Sequence, residues 1–127
     1  MGKRPKQSRQ DLEDELVLKA MANGDRRQIL DLLREEPLTT GMLGEQMPWL
    51  NRCTVMQHLG VLEGAGLVIS RKEGRQRWNY LNVLPIKDIH DRWIGPYASQ
   101  AVELLARLQR DLELPAAAGT TRRRARG

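Results

Sequence analysis

LTTGMLGEQMPWLNRCTVMQHLGVLEGAGLVISRKEGRQRWNYL, residues 38–81, holds two helical patterns and two strand-like runs in close succession. Thr39 is a good cap for a short helix carrying Leu43 and Met47, and Pro48 closes that helix and begins a turn. Asn51 is a second N-cap, from which the next helix runs to about Gly64. Gly64-Ala65-Gly66 ends it. Leu67-Val68-Ile69 and Trp78-Asn79-Tyr80-Leu81 then read as paired strands around a turn at Lys72–Gln76. A short helix, a tight turn, a second helix and a basic hairpin form the layout of a winged helix-turn-helix. That layout offers one helix to a DNA major groove and a loop to the neighbouring backbone. The fold class predicted is mainly α with a small β-hairpin, dimerising through terminal helices.

Placed at about 100° steps, the residues of the second helix sort into faces. Val55, Leu59 and Leu62 cluster on the side that must be core. Cys53 and Gln57 fall opposite, flanked by Thr54, Met56, Gly60 and Val61. Gln57 has the donor and acceptor to pair bidentately with adenine; a solvated glutamine is the plain alternative. Arg52 and Thr54 lie in the first turn, where helix N-termini meet phosphates or base edges. By angle Arg52 points partly core-ward, so a phosphate is its expected contact. His58, at the margin of the apolar face, suits packing or a phosphate, and Met56 suits a thymine methyl or simple exposure. Cys53 sits near a helix N-terminus, a setting used for thiol switches, although most lone cysteines are only small side chains. Gly60 costs roughly 1 kcal/mol against alanine in a helix interior, which a close backbone approach, to DNA or to a neighbouring helix, would explain. On the hairpin, Arg71, Lys72, Arg75 and Arg77 stand against a single acid, Glu73. That balance favours phosphate contact over an ordinary solvated cluster.

The net charge of +5 over 127 residues is unevenly placed. Both ends are basic, through Lys3, Arg4, Lys6 and Arg9 at the start and Arg122, Arg123, Arg124 and Arg126 at the finish. The chain between them is acidic overall, except across residues 49–82, where Arg52, Arg71, Lys72, Arg75 and Arg77 outnumber Glu63 and Glu73. Tails alone could make a chain basic, but a positive strip confined to the helix and hairpin is what a DNA contact requires. One cysteine excludes a disulfide framework and a Cys–Cys metal pair within the chain. With no Phe, the core must be mainly aliphatic. No run suits a membrane span and no signal peptide is evident, so a cytoplasmic, nucleoid-associated protein is expected.

Outward from that centre, residues 1–9 read as a disordered basic arm, residues 10–114 as one domain, and residues 115–127 as a disordered basic tail. A first helix from Gln10 carries Leu12, Leu16, Val17, Ala20 and Met21 on one stripe and stops at Asn23-Gly24. Asp25, with Gln28 three residues on, reads as the cap of the next helix, whose apolar side is Ile29, Leu30, Leu32 and Leu33. Pro37 ends that helix. Pro85 opens a last helical region, broken by Gly95-Pro96, with Ile86 and Ile89 on its apolar side. Beyond the break, Tyr97, Ala101, Leu104, Leu105, Leu108 and Leu112 form a seam longer than one small domain covers. A symmetric dimer is the natural cover, with Leu12, Leu16 and Trp93 joining the interface; a seam folded back on its own domain is the alternative.

The stretch TVMQHLGVLEGAGLVISRKEGRQRWNYLN (54–82) resembles the recognition helix, Ala-Gly-Leu-Val junction and wing of the ArsR family of bacterial winged-helix repressors. Gly24–Leu30 is similar to the start of that family's second helix. The likeness spans roughly residues 10–113. It implies a cytoplasmic homodimer that represses by occluding promoters, each fourth helix entering a major groove of double-stranded DNA. A pseudo-palindromic operator follows, with half-sites about one helical turn apart or a multiple of it. Many such repressors are released by metals, yet the third helix, TTGMLGEQM, lacks the family's Cys-x-Cys pair. Asp88-Ile89-His90 matches half of a second site, whose other half falls near Ala101 and Leu104, which cannot ligate. No metal or cofactor is therefore expected, and the segment 88–97 looks like the non-metal subset. Two departures stand out: the turn MPWLNRC is a residue longer than usual, and Met42 takes a capping position often held by Glu. A small organic effector between dimer helices, lined by Trp93 and Tyr97, is compatible with this reading. The rival readings are a dimerisation module without specific DNA binding and a repressor switched by Cys53. No nucleophile motif or phosphate-cradling loop points to an enzyme.

Overall fold

The computed structural model describes residues 2–95 and 99–113. In chain order it holds α1 (Arg9–Met21), α2 (Gly24–Glu35), β1 (Leu38–Thr39), α3 (Thr40–Gln46), α4 (Arg52–Gly64), β2 (Val68–Glu73), β3 (Gln76–Leu81), α5 (Leu84–Trp93) and α6 (Ser99–Glu113). The chain divides into two compact units, Met1–Ile89 and His90–Gly127.

In the first unit, short polar side chains set the helix starts. The Asp11 N–H donates to Ser8 Oγ at 3.1 Å, and the Asp11 carboxylate accepts from the Ser8 N–H. This capping box starts α1 at Arg9, one residue before the predicted Gln10. The cap of α2 is Asn23, not Asp25: Asn23 takes the extended backbone a cap needs, and its Oδ1 accepts from the Arg26 N–H at 3.0 Å. Asp25 is already helical, and its carboxylate accepts the Trp49 indole N–H at 3.0 Å instead. Thr39 and Asn51 cap α3 and α4 as predicted, accepting from the N–H groups of Met42 at 3.1 Å and Thr54 at 2.8 Å. At its far end α4 closes in a paired-bond cap. The Gly66 N–H donates to Glu63 O and the Leu67 N–H to Leu62 O, both at 2.9 Å. That geometry places Gly66 at φ +78°, which glycine alone takes without strain.

Val17 and Ala20 of α1, Ile29, Leu30 and Leu33 of α2, and Leu43 of α3 are buried together with Met47. Val55, Leu59 and Leu62 of α4, then Leu67 and Val68, complete this core. Of the predicted α1 stripe, Leu12 and Leu16 are exposed, because only the C-terminal half of α1 supplies buried side chains. The sheet is three-stranded and antiparallel in the order β1-β3-β2, rather than a lone hairpin. β1 is two residues long and merges into the α3 cap, too short to show a period in sequence. The hairpin strands are longer than predicted and the turn shorter: Glu73 pairs with Gln76, leaving only Gly74 and Arg75 in the turn. Arg71, Lys72 and Arg77 therefore stand on the strands.

In the second unit, the N–H groups of Ile94 and Gly95 both donate to His90 O, at 2.7 and 3.0 Å, ending the helix where Gly95-Pro96 predicts a break. A Cβ at Gly95 would lie 2.5 Å from Asp91 O, so the break needs glycine. α6 turns Leu104, Leu105, Leu108 and Leu112 outward. Tyr97 and the tail 115–127 lie outside the described residues.

Candidate nucleic-acid interface

Helical spacing commits one side of α4 to the core. Val55, Leu59 and Leu62 are 1%, 3% and 0% exposed, and α4 packs on α1, α2, α3 and β2. The other side must then face outward, and Cys53, Met56, Gln57, Gly60 and Val61 are all exposed. Arg52, predicted to lean partly core-ward, is exposed as well and lines a groove between α3 and α4 together with Leu50 and Val55. Cys53 carries a free thiol on this outer face.

Two candidates are drawn back into the protein. Thr54 is half-buried, its hydroxyl donating to Asn51 Oδ1 at 3.0 Å as part of the cap. His58 is half-buried too, with Nδ1 3.4 Å from Arg26 Nη1. A guanidinium can only donate, so this contact makes Nδ1 the acceptor. Arg26 is itself fixed by donating to Ala20 O at 2.8 Å and Lys19 O at 3.1 Å, which ties His58 to the α1–α2 junction.

On the wing, Arg71, Lys72 and Arg75 are exposed, and among the described residues no hydrogen bond or ion pair engages their side chains. Arg77 differs. Its Nη1 lies 3.5 Å from Glu63 Oε1 on α4. Behind it runs a polar chain that sequence reasoning missed. Asn79, fully buried, donates through Nδ2 to Leu38 O and Thr40 Oγ1, each at 3.2 Å. Its Oδ1 is 2.9 Å from Ser70 Oγ, which also sits 2.5 Å from Glu63 Oε1. A buried amide is tolerated only when it is hydrogen-bonded, and here β1 and α3 accept its N–H groups while Ser70 of β2 lies beside its oxygen. The one signal in sequence is the asparagine inside Trp78-Asn79-Tyr80, where a β-branched residue would be usual. Trp49 and Asp25, which clip the long helix-turn-helix turn to α2, left no such mark.

His90 Nδ1 lies 3.4 Å from Asp91 Oδ1. Among the described residues no group of three His, Cys, Asp or Glu is placed to hold a metal ion, and no helix is long and apolar enough to cross a membrane.

Residues 21–71 match a family described as helix-turn-helix domain. YuzN of Bacillus subtilis, an uncharacterised HTH-type transcriptional regulator, is 34% identical over 84 residues, which is 61% of this chain and 91% of that protein. The solved chain of HlyU from Vibrio cholerae shares 31% identity with a TM-score of 0.57, covering 80% of this chain and 97% of that one. An ArsR-like transcriptional regulator from Rhodococcus sp. RHA1 has the same fold at 24% identity, with a TM-score of 0.59 over 79% of this chain and 92% of that one. The chain belongs to the ArsR family of winged helix-turn-helix regulators. As in that family, α3 and α4 form the helix-turn-helix and β2–β3 the wing, and the chain is a DNA-binding transcriptional regulator whose relatives are regulators rather than enzymes.

Proposed function

We propose that this ArsR-family protein binds a pseudo-palindromic operator as a homodimer and represses by covering a promoter. Gln57 is the base reader of α4, with Met56 against a thymine methyl and Cys53 close to the groove floor. Arg52 at the helix start, together with Arg71, Lys72 and Arg75 on the wing, grips flanking phosphates. Thr54 and His58, both engaged inside the protein, orient the helix and reach DNA only at their edges. One observation carries the reading: the outward face of α4 and the unengaged wing cations form the positive strip of an otherwise acidic fold. Half-site spacing of about one helical turn requires two copies, and the exposed leucines of α1 and α6 supply apolar surface to join them.

The test is selection of bound fragments from genomic DNA, followed by gel retardation at physiological salt. A discrete retarded complex is expected, and Gln57→Ala should relax discrimination at one A·T pair by about 1–3 kcal/mol. Retardation no better than on random duplex would end the proposal in favour of a dimerisation module. HlyU is named a transcriptional activator, which gives a second reading in which the same binding recruits rather than blocks polymerase. Transcription in vitro from the selected promoter separates the two by sign.

A further inference from the structure

The four wing cations are not equivalent. Strand register places Arg77 opposite Lys72, on the sheet face that also carries Val68 with Leu81 and Ser70 with Asn79. That face turns toward α4, and Arg77 reaches back along it to Glu63 Oε1 at 3.5 Å. Glu63 is a prepared acceptor, because the same oxygen lies 2.5 Å from Ser70 Oγ, and Ser70 in turn lies 2.9 Å from the buried Asn79. Arg71, Lys72 and Arg75 have no such partner among the described residues.

We propose that Arg77 is a positioning residue which, through Glu63, sets the angle of the wing against the recognition helix, and that the phosphate grip belongs to Arg71, Lys72 and Arg75. This rests on the DNA-binding reading above. The geometry gives the pair leverage. The Gly74-Arg75 tip lies four residues beyond Ser70, roughly 13 Å at strand rise, so rocking the hairpin by about 10° at its root moves the tip by about 2 Å. A hydrogen bond to phosphate does not survive such a shift. The pair is 55% and 33% exposed at its two side chains, and exposed pairs add little to fold stability, so its loss should be felt in binding rather than in melting.

The experiment is operator binding by the full-length chain, measured against salt concentration, with the melting temperature of each variant recorded. A cation that neutralises one phosphate contributes about 0.9 to the slope of log K against log salt, and its removal lowers the slope by that amount. Arg71→Gln, Lys72→Gln and Arg75→Gln should each do so. Arg77→Gln should instead weaken binding about five- to tenfold with the slope and the melting temperature unchanged. Glu63→Gln discriminates by sign. Removing an anion near DNA tightens binding on simple electrostatics, whereas losing the wing anchor weakens it, and we expect weakening. The double variant should be no worse than either single one. A slope lowered by Arg77→Gln, unchanged binding in that variant, or tighter binding in Glu63→Gln would each overturn the assignment while leaving the regulator reading intact. Failure of the unmodified chain to bind any operator would remove both.

Discussion

α4 and α6 are helices of similar length, 13 and 15 residues, each carrying a leucine stripe, and the stripes meet opposite fates. In α4, Val55, Leu59 and Leu62 are almost fully covered by α1, α2, α3 and β2. In α6, Leu104, Leu105, Leu108 and Leu112 remain 59%, 56%, 49% and 74% exposed. A helix whose stripe is covered by its own unit has only its opposite side left for outside work. A helix whose stripe is uncovered has that stripe as its most adhesive surface, because apolar area left in water costs about 25 cal/mol per Å². In the reading proposed above, recognition falls to the outer face of α4, with Arg52, Cys53, Met56 and Gln57, and association to the uncovered front of α6.

The sharpest way to break this comparison is to make the front of α6 polar. Leu104→Glu with Leu108→Glu should convert a dimer into a monomer in sedimentation. Operator affinity should fall by about 10²–10⁴-fold, since two half-sites would no longer be engaged by linked copies. An unmodified chain that sediments as a monomer at micromolar concentration would detach the seam from self-association altogether. Next in size is truncation of the covered stripe. Leu62→Ala leaves a cavity in a fully buried site and should cost about 2–5 kcal/mol in urea unfolding, whereas Leu112→Ala, on the exposed seam, should leave monomer unfolding nearly unchanged. Equal costs at the two positions would mean that α6 is covered as thoroughly as α4.

The same contrast explains what can be read from the sequence. The faces of α4 are legible because helical spacing and an aliphatic core leave no other side for Val55, Leu59 and Leu62. Caps at Thr39 and Asn51 are legible because they stand directly before the runs they start. Asp25 mimics a cap because Asn23, Gly24 and Asp25 all suit a helix start, and only backbone conformation chooses among them. β1 and the Asn79–Ser70–Glu63–Arg77 chain are not legible. Their partners are up to 41 residues apart in sequence, and the pairing is created by strand register rather than by any local pattern.

The smallest effect concerns Gly60, and its value lies in having two signs. Glycine here is exposed in the interior of α4, and a Cβ built on it meets nothing within 4 Å. Of the two reasons a helix could have for this glycine, a neighbouring helix is thus absent among the described residues, and approach of an outside molecule is left. Gly60→Ala should therefore stabilise the free chain by up to about 1 kcal/mol, seen as a melting temperature raised by about 3–5 °C. The same change should weaken operator binding about tenfold, because the added methyl stands between the helix backbone and the groove wall. A core residue cannot behave this way, since there the methyl would either fill a cavity or clash, with stability and binding moving together. Opposite movement of melting and affinity places the duplex against the backbone at Gly60. A stabilised variant that binds as tightly as the original would instead mean that DNA meets α4 only through longer side chains such as Met56 and Gln57, with the backbone standing off.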